Sequence, residues 1–77
     1  MRMPVVSGKE VIAVIKKLGF EFKRQKGSHA HFVKETQGKP FHVTVPVHPG
    51  KKLNHSVFHS IARQAGYLPK EFAEFFR

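Results

Sequence analysis

Two histidines, His29 and His31, follow a basic run and a Gly-Ser pair, and these are the residues of the chain best suited to chemistry. The run is Lys23-Arg24-Gln25-Lys26, and the pair is Gly27-Ser28. An imidazole gains and loses protons near neutral pH, and lysine and arginine attract phosphate groups. The stretch therefore indicates proton transfer on a phosphate-containing substrate.

Composition favours a nucleic acid as that substrate. The 77 residues include 14 Lys and Arg against 5 Asp and Glu, a formal net charge of +9. So large an imbalance on a small protein attracts polyanions, so that nucleic acid is the first partner to consider and an anionic membrane surface the second. The absence of cysteine excludes a disulfide framework and a thiolate metal site.

Length predicts one domain, residues 1–77, with one modest core. The sequence has no apolar run long enough to span a bilayer, and no signal-like stretch follows Met1-Arg2-Met3. We therefore expect a cytoplasmic protein that does not enter a membrane.

Three segments repeat apolar residues at helical spacing and carry helix start or stop signals. The signals are a capping box over Ser7-Gly8-Lys9-Glu10 with Gly19 as terminator, an N-cap at Asn54 with Gly66 as terminator, and Pro69 at the start of a short third helix. In the third segment Phe72, Phe75 and Phe76 form an apolar stripe. This stripe either completes the core or forms a surface for a partner.

Between the first two helices the apolar period changes to that of β-strands. Extended segments are predicted at Phe20 to Lys23, at His29 to Lys34 and at Phe41 to His48, with turns at Lys26-Gly27-Ser28 and at residues 35–40. The predicted fold is α+β, with the order α-β-β-β-α, a three-stranded antiparallel sheet, helices on one face and a short extra C-terminal helix.

The alternation of side chains also predicts the register of the second and third strands. Centring their turn on Gln37-Gly38 gives the pairs Phe32 with Val43, Ala30 with Val45, His31 with Thr44, Val33 with His42, and His29 near Pro46. The apolar pairs then share one face. The histidines gather on the other, solvent-exposed face.

Several roles remain open for the residues around His29. His31 suits nucleic-acid contact or structure better than catalysis, although His31 or His42 could protonate a leaving oxygen. Three imidazoles on one face could also bind zinc, but no acidic or thiol ligand accompanies them, and we predict no metal site. Gly27 serves a turn that needs positive φ, allows a nucleic-acid backbone to approach His29, or does both.

Basic side chains outside the histidine motif extend the surface predicted to bind nucleic acid. Lys51 and Lys52 follow Pro49-Gly50 beyond the third strand, where they could contact phosphates. The nucleic-acid contacts expected on this surface are Arg24, Lys26, His31, His42, Lys51 and Lys52.

The order of elements is that of the double-stranded-RNA-binding domain, and local motifs narrow the resemblance. The chain resembles the HicA toxin family in Ser7-Gly8-Lys9-Glu10-Val11, Leu18-Gly19-Phe20, Arg24-Gln25-Lys26-Gly27-Ser28-His29, Val43-Thr44-Val45-Pro46-Val47-His48 and Gln64-Ala65-Gly66. These motifs lie in collinear order from about Ser7 to Tyr67.

The resemblance implies a small, metal-independent mRNA endoribonuclease with a double-stranded-RNA-binding-like fold, neutralised by a HicB antitoxin. It implies one catalytic histidine, which corresponds to His29, with Gly27 and Ser28 shaping the motif. No cofactor is expected. The alternatives are a non-catalytic RNA-binding module of the same fold, and a protein whose basic face docks an acidic partner.

Overall fold

The computed structural model describes residues 4–77, so Met1-Arg2-Met3 and the first positions of the predicted domain lie outside it. The elements in chain order are α1 (Gly8–Lys17), β1 (Glu21–Lys26), β2 (His29–Lys34), β3 (Phe41–Pro46), α2 (His55–Gln64) and α3 (Pro69–Glu74). This order confirms the predicted α+β fold. Within the described residues, none of the helices has the length and apolar character needed to cross a membrane.

The predicted capping box starts α1. The Ser7 hydroxyl accepts a hydrogen bond from the Glu10 backbone N–H at 3.3 Å, and the Glu10 carboxylate accepts one from the Ser7 backbone N–H at 3.1 Å. The helix buries Val11 and Ile15. Gly19, with φ at 102°, then turns the chain into β1.

The three strands form an antiparallel sheet in the order β1-β2-β3. Every predicted pair between β2 and β3 is confirmed, from His29 with Pro46 to Val33 with His42. The third strand ends at Pro46, two residues before the predicted end at His48. It ends there because β2 begins at His29 and offers no further strand residue to pair with.

The helices cover one face of the sheet, where the apolar residues of β2 and β3 are buried. The buried side chains of the sheet are Ala30, Phe32, Val43 and Val45, and those of α2 and α3 include Phe58, Ile61, Ala62 and Phe72. Most of the C-terminal stripe belongs to the core, since Phe72 is fully buried and Phe76 packs against Phe58. Only Phe75, at 42% exposure, remains substantially open to solvent.

A glycine allows α1 to approach the end of β3. Gly8 is the buried first residue of α1, and any side chain there would overlap the carbonyl oxygen of Pro46. Pro46 is the residue opposite His29. The N-terminus of α1 therefore packs beneath the part of the sheet that carries the first candidate histidine.

Candidate active site

Cross-strand pairing identifies the side chains on the face of the sheet opposite the helices, which we call the open face. Paired residues of neighbouring strands point to the same side. The pairs are Lys26 with His29 and Arg24 with His31 between β1 and β2, and His29 with Pro46, His31 with Thr44 and Val33 with His42 between β2 and β3. Two cations and three histidines therefore share this face.

A tight turn places His29 at the start of β2. Gly27 and Ser28 alone separate the paired residues Lys26 and His29, and only the glycine has positive φ, at 59°. A positive φ confined to the first of two loop residues is what a type II′ hairpin turn requires. This confirms the conformational role predicted for Gly27. His29 follows as an exposed side chain.

Two hydrogen bonds hold this turn, one from the residue that follows β3 and one from a side chain of β1. The Ser28 carbonyl oxygen accepts a hydrogen bond from the Val47 N–H at 2.6 Å, and the Gly27 carbonyl oxygen accepts one from the Gln25 side chain at 3.1 Å. Ser28 thus contributes its backbone carbonyl to the contacts of the turn. A methyl group built on Gly27 would meet no atom within 4 Å, so there is open space beside Gly27 itself.

A β-bulge in β1 decides which cations reach the open face. Phe22 pairs with Phe32, but the next pair is Arg24 with His31, so that Lys23 is an extra residue in the ladder. Without the bulge Lys23 and Gln25 would face the two histidines. The bulge instead places Arg24 opposite His31 and Lys26 opposite His29. The sequence contains no glycine or break in this strand that signals it.

His31 is the histidine with a defined hydrogen-bond partner. Its Nδ1 lies 3.0 Å from the Thr44 hydroxyl, and the side chain is half-buried. The Thr44 backbone N–H donates in turn to the Gln64 side-chain oxygen at 2.9 Å, and the Gln64 amide donates to the Ser60 hydroxyl at 3.2 Å. Thr44 and Gln64 were not predicted as site residues, because no local pattern indicates a contact between positions 20 residues apart.

His42 does not join His29. It is paired with Val33, four pairs along the ladder from His29 and Pro46, although it lies diagonally from His31 on the same face. In the described part of the chain, no group of three or more His, Cys, Asp or Glu side chains could hold a metal ion.

The two lysines after β3 leave the sheet at the end where His29 lies. Both are exposed, and the loop begins with the Val47 hydrogen bond to Ser28. Lys52 forms a β-bridge with Ser7, and its Nζ lies 3.4 Å from a Glu10 carboxylate oxygen. The Glu10 carboxylate therefore partly neutralises the charge of Lys52. The adjacent cleft of about 380 Å³ is lined by Ser7, Gly8, Lys9, Val47, His48, Pro49 and Gly50.

The arrangement can perform proton transfer beside an anion. His29 and His31 project two residues apart from one strand, with Lys26 and Arg24 opposite them on β1. All four lie on a surface that the helices do not cover. The acidic residue of β1, Glu21, lies at the other end of the face, opposite Val33.

Comparison with known proteins gives a family match over most of the chain. A family model described as the HicA toxin of bacterial toxin-antitoxin systems matches residues 8–67. This range includes α1, the whole sheet and α2, and ends before α3. No curated protein matches the chain.

Proposed function

The chain belongs to the HicA toxin family of bacterial toxin–antitoxin systems, and we propose that it is a metal-independent endoribonuclease that cleaves mRNA in the cytoplasm with His29 as general base. Family membership makes it a toxin with an antitoxin partner. The single observation that carries the catalytic proposal is the position of His29. It is exposed directly after a tight turn, with Lys26 opposite it on the same face.

RNA carries its own nucleophile, and this makes the proposed reaction accessible to a histidine and nearby cations. A neutral imidazole of His29 removes the proton of a 2′-hydroxyl, and the oxygen attacks the adjacent phosphorus. The bond from phosphorus to the 5′-oxygen breaks and this oxygen takes a proton from solvent or a neighbouring acid, which leaves a 2′,3′-cyclic phosphate and a 5′-hydroxyl end. Lys26 stabilises the negative charge that builds up on the phosphoryl oxygens. A positioned base of this kind contributes about 10²–10⁴-fold.

The remaining cations fit RNA binding rather than chemistry. Arg24 lies opposite His31, and Lys51 and Lys52 extend from the end of β3. Contacts from such side chains to phosphate position the RNA without selecting a sequence. Exposed His42 lies further along the open face, where it would contact the same strand of RNA.

The test compares the purified protein with its His29→Ala variant on RNA in the presence of a metal chelator. We expect the unchanged protein to cut RNA but not DNA of the same sequence, which lacks the 2′-hydroxyl. His29→Ala should lower the cleavage rate by about 10²–10⁴-fold while RNA affinity changes little. His55→Ala is the matched control, because His55 is exposed at the start of α2, outside the sheet.

Three results would contradict the proposal in different ways. Full activity of His29→Ala would remove the assignment of the base. Loss of activity under the chelator would indicate a metal-dependent enzyme. Binding of RNA without cleavage by the unchanged protein would indicate the alternative, a non-catalytic RNA-binding module of this fold.

We propose a HicB-type protein as the antitoxin. Support comes from the family match and from the exposure of His29, which a partner could cover directly. Adding a HicB-type protein encoded beside this chain should abolish RNA cleavage at equimolar concentration. Cleavage that continues in a stable complex of the two would show that the partner does not block the site.

A further inference from the structure

The hydrogen bond between His31 and Thr44 suggests a second proton-transfer group on the open face. We propose that His31, oriented by Thr44, donates the proton to the leaving 5′-oxygen when His29 takes the proton of the 2′-hydroxyl. This inference rests on the proposed ribonuclease function and adds to it the residue that protonates the leaving group.

The spacing of the two histidines suits in-line displacement at phosphorus. Residues two apart on a strand point to the same side and are separated by about 6.6 Å along it. In such a displacement the attacking and leaving oxygens lie on opposite sides of the phosphorus. A phosphate bound between His29 and His31 would present one oxygen to each imidazole. One histidine alone would have to serve both sides.

The contact with Thr44 gives His31 a fixed orientation that suits an acid. The hydroxyl lies 3.0 Å from Nδ1, so that Nε2 is the nitrogen left to meet the substrate. The hydroxyl oxygen can accept a hydrogen bond from Nδ1–H, and this contact persists when both ring nitrogens are protonated. His31 can therefore keep its orientation in the charged form that donates.

Helix α2 holds Thr44 in place. The Thr44 N–H donates to Gln64 at 2.9 Å, and Gln64 donates to Ser60 one helical turn earlier. Thr44 is accordingly a positioning residue, and its hydroxyl is aimed at His31 by a strand that is tied to the helix. His42 lacks this geometry with respect to His29, because the pair of His31 and Thr44 lies between them on the ladder.

The step balances without another reactant. The 2′-oxygen loses its proton to His29 and forms a bond to phosphorus, while the bond from phosphorus to the 5′-oxygen breaks. The 5′-oxygen takes a proton from Nε2 of His31. His29 ends protonated and His31 neutral, and exchange with water restores both.

The test uses two oligoribonucleotides that differ in one atom. One has the normal linkage at its cleavage site, and in the other a sulfur replaces the bridging 5′-oxygen, because a thiolate leaves without being protonated. We expect His31→Ala to slow cleavage of the oxygen substrate by about 10²-fold and to cut the sulfur substrate within about tenfold of the unchanged protein. His29→Ala should be slow on both substrates.

Further variants separate orientation from folding. Thr44→Val removes the hydroxyl at similar size and should show the same selective defect more weakly, whereas Thr44→Ser should restore activity. His31→Gln, which can still hydrogen-bond Thr44, is the second variant if alanine disturbs the sheet.

The possible failures are distinguishable. Unchanged cleavage of the oxygen substrate by both His31 variants would overturn the inference, and so would an equal loss on both substrates, which would indicate RNA binding. In either case a strong defect of His29→Ala would leave the proposed function standing. An unchanged protein that cuts neither substrate would remove both proposals.

Discussion

Gly8→Ala tests whether close packing of α1 against β3 supports the site. Gly8 is buried, and a methyl group there would overlap the Pro46 carbonyl oxygen and lie 3.3 Å from the carbonyl carbon. It would also lie 3.4 Å from Cγ1 of Val45. Backbone atoms cannot rotate away from the new methyl group as a side chain can. The helix and the end of the strand must therefore move apart.

The expected loss of stability is modest. Alanine is preferred to glycine by about 0.8–1.0 kcal/mol inside a helix, and less at its first position. Overpacking of a core costs about 1–3 kcal/mol. The balance is a loss of about 1–2 kcal/mol. A domain of 77 residues with about 0.05–0.15 kcal/mol per residue has roughly 4–12 kcal/mol, so the variant stays folded.

The expected loss of activity is larger than the loss of folded protein. Pro46 is opposite His29, and the next residue, Val47, donates its N–H to Ser28 in the turn before it. Moving the end of β3 therefore moves the supports of His29. A displacement of about 1 Å can cost about 10²-fold in rate.

Urea unfolding and RNA cleavage at 25 °C measure the two effects on the same preparation. Gly38→Ala is the control, because a methyl group there meets no atom within 4 Å and its φ is not left-handed. It should stay within about 0.5 kcal/mol of the unchanged protein and retain its activity. A Gly8→Ala protein with unchanged stability and cleavage would refute the reasoning.

Three further predictions concern the core, the first helix and the bulge. Phe72→Ala should lower the free energy of unfolding in urea by about 3–5 kcal/mol, because Phe72 is fully buried. Phe75→Ala, at an exposed position, should lower it clearly less, and equal losses would show that the stripe is not core. Hydrogen bonds from the Ser7 backbone N–H and, to a smaller extent, from the Ser7 hydroxyl hold the pKa of Glu10 below its usual value. The stability that the ionised Glu10 contributes near neutral pH is therefore lost as pH falls through that lowered pKa. In thermal unfolding between about pH 5 and 2, Glu10→Gln should lose less stability with falling pH than the unchanged protein does. An equal dependence of stability on pH in the two proteins would contradict the role of the cap. Deletion of Lys23 removes the unpaired residue and keeps every pair of the ladder, so the variant should fold and cut RNA. A folded variant that yields no cleavage product would count against this assignment of the bulge.

The register of β2 and β3 was predictable because two independent patterns agree on it. Alternation leaves Ala30 and Phe32 on one strand and Val43 and Val45 on the other as the apolar sets. The turn residues between the strands allow these sets to face each other. A slip by one residue would expose one set and bury the histidines, so only this register suits a core on one face.

The register of β1 was not predictable in the same way. After Phe22 the strand contains only polar residues, and every residue of β1 is exposed. Burial therefore does not select between a regular ladder and a bulged one. The short turn at Gly27 sets the pairing from one end and the contact of Phe22 with Phe32 sets it from the other. The two registers differ by one residue, and the extra residue forms the bulge.

Contacts between residues far apart in the chain could not be predicted from the sequence either. Lys52 was predicted as a phosphate contact, and its ion pair with Glu10 joins residues 42 positions apart. The hydrogen bond between Gln64 and Thr44 likewise joins residues that are 20 positions apart. Neither pair belongs to a local motif, since the first depends on how the start of α1 meets the loop after β3 and the second on how the end of α2 meets the sheet. Such contacts follow from the packed fold rather than from residue spacing.

The two edges of the sheet differ in a way that relates stability to function. On β3, Gln64 occupies the N–H of Thr44, and α1 packs against Pro46, so this edge is held by both helices. On β1 every residue is exposed, and an open edge of this kind invites pairing with another sheet. Positive charge and a bulge both discourage such pairing. Arg24 and Lys26 therefore suit a surface that binds a phosphate backbone and also protect the edge that carries them. Neutralising both should weaken RNA binding and promote self-association together, whereas a purely RNA-binding role for them would leave self-association unchanged.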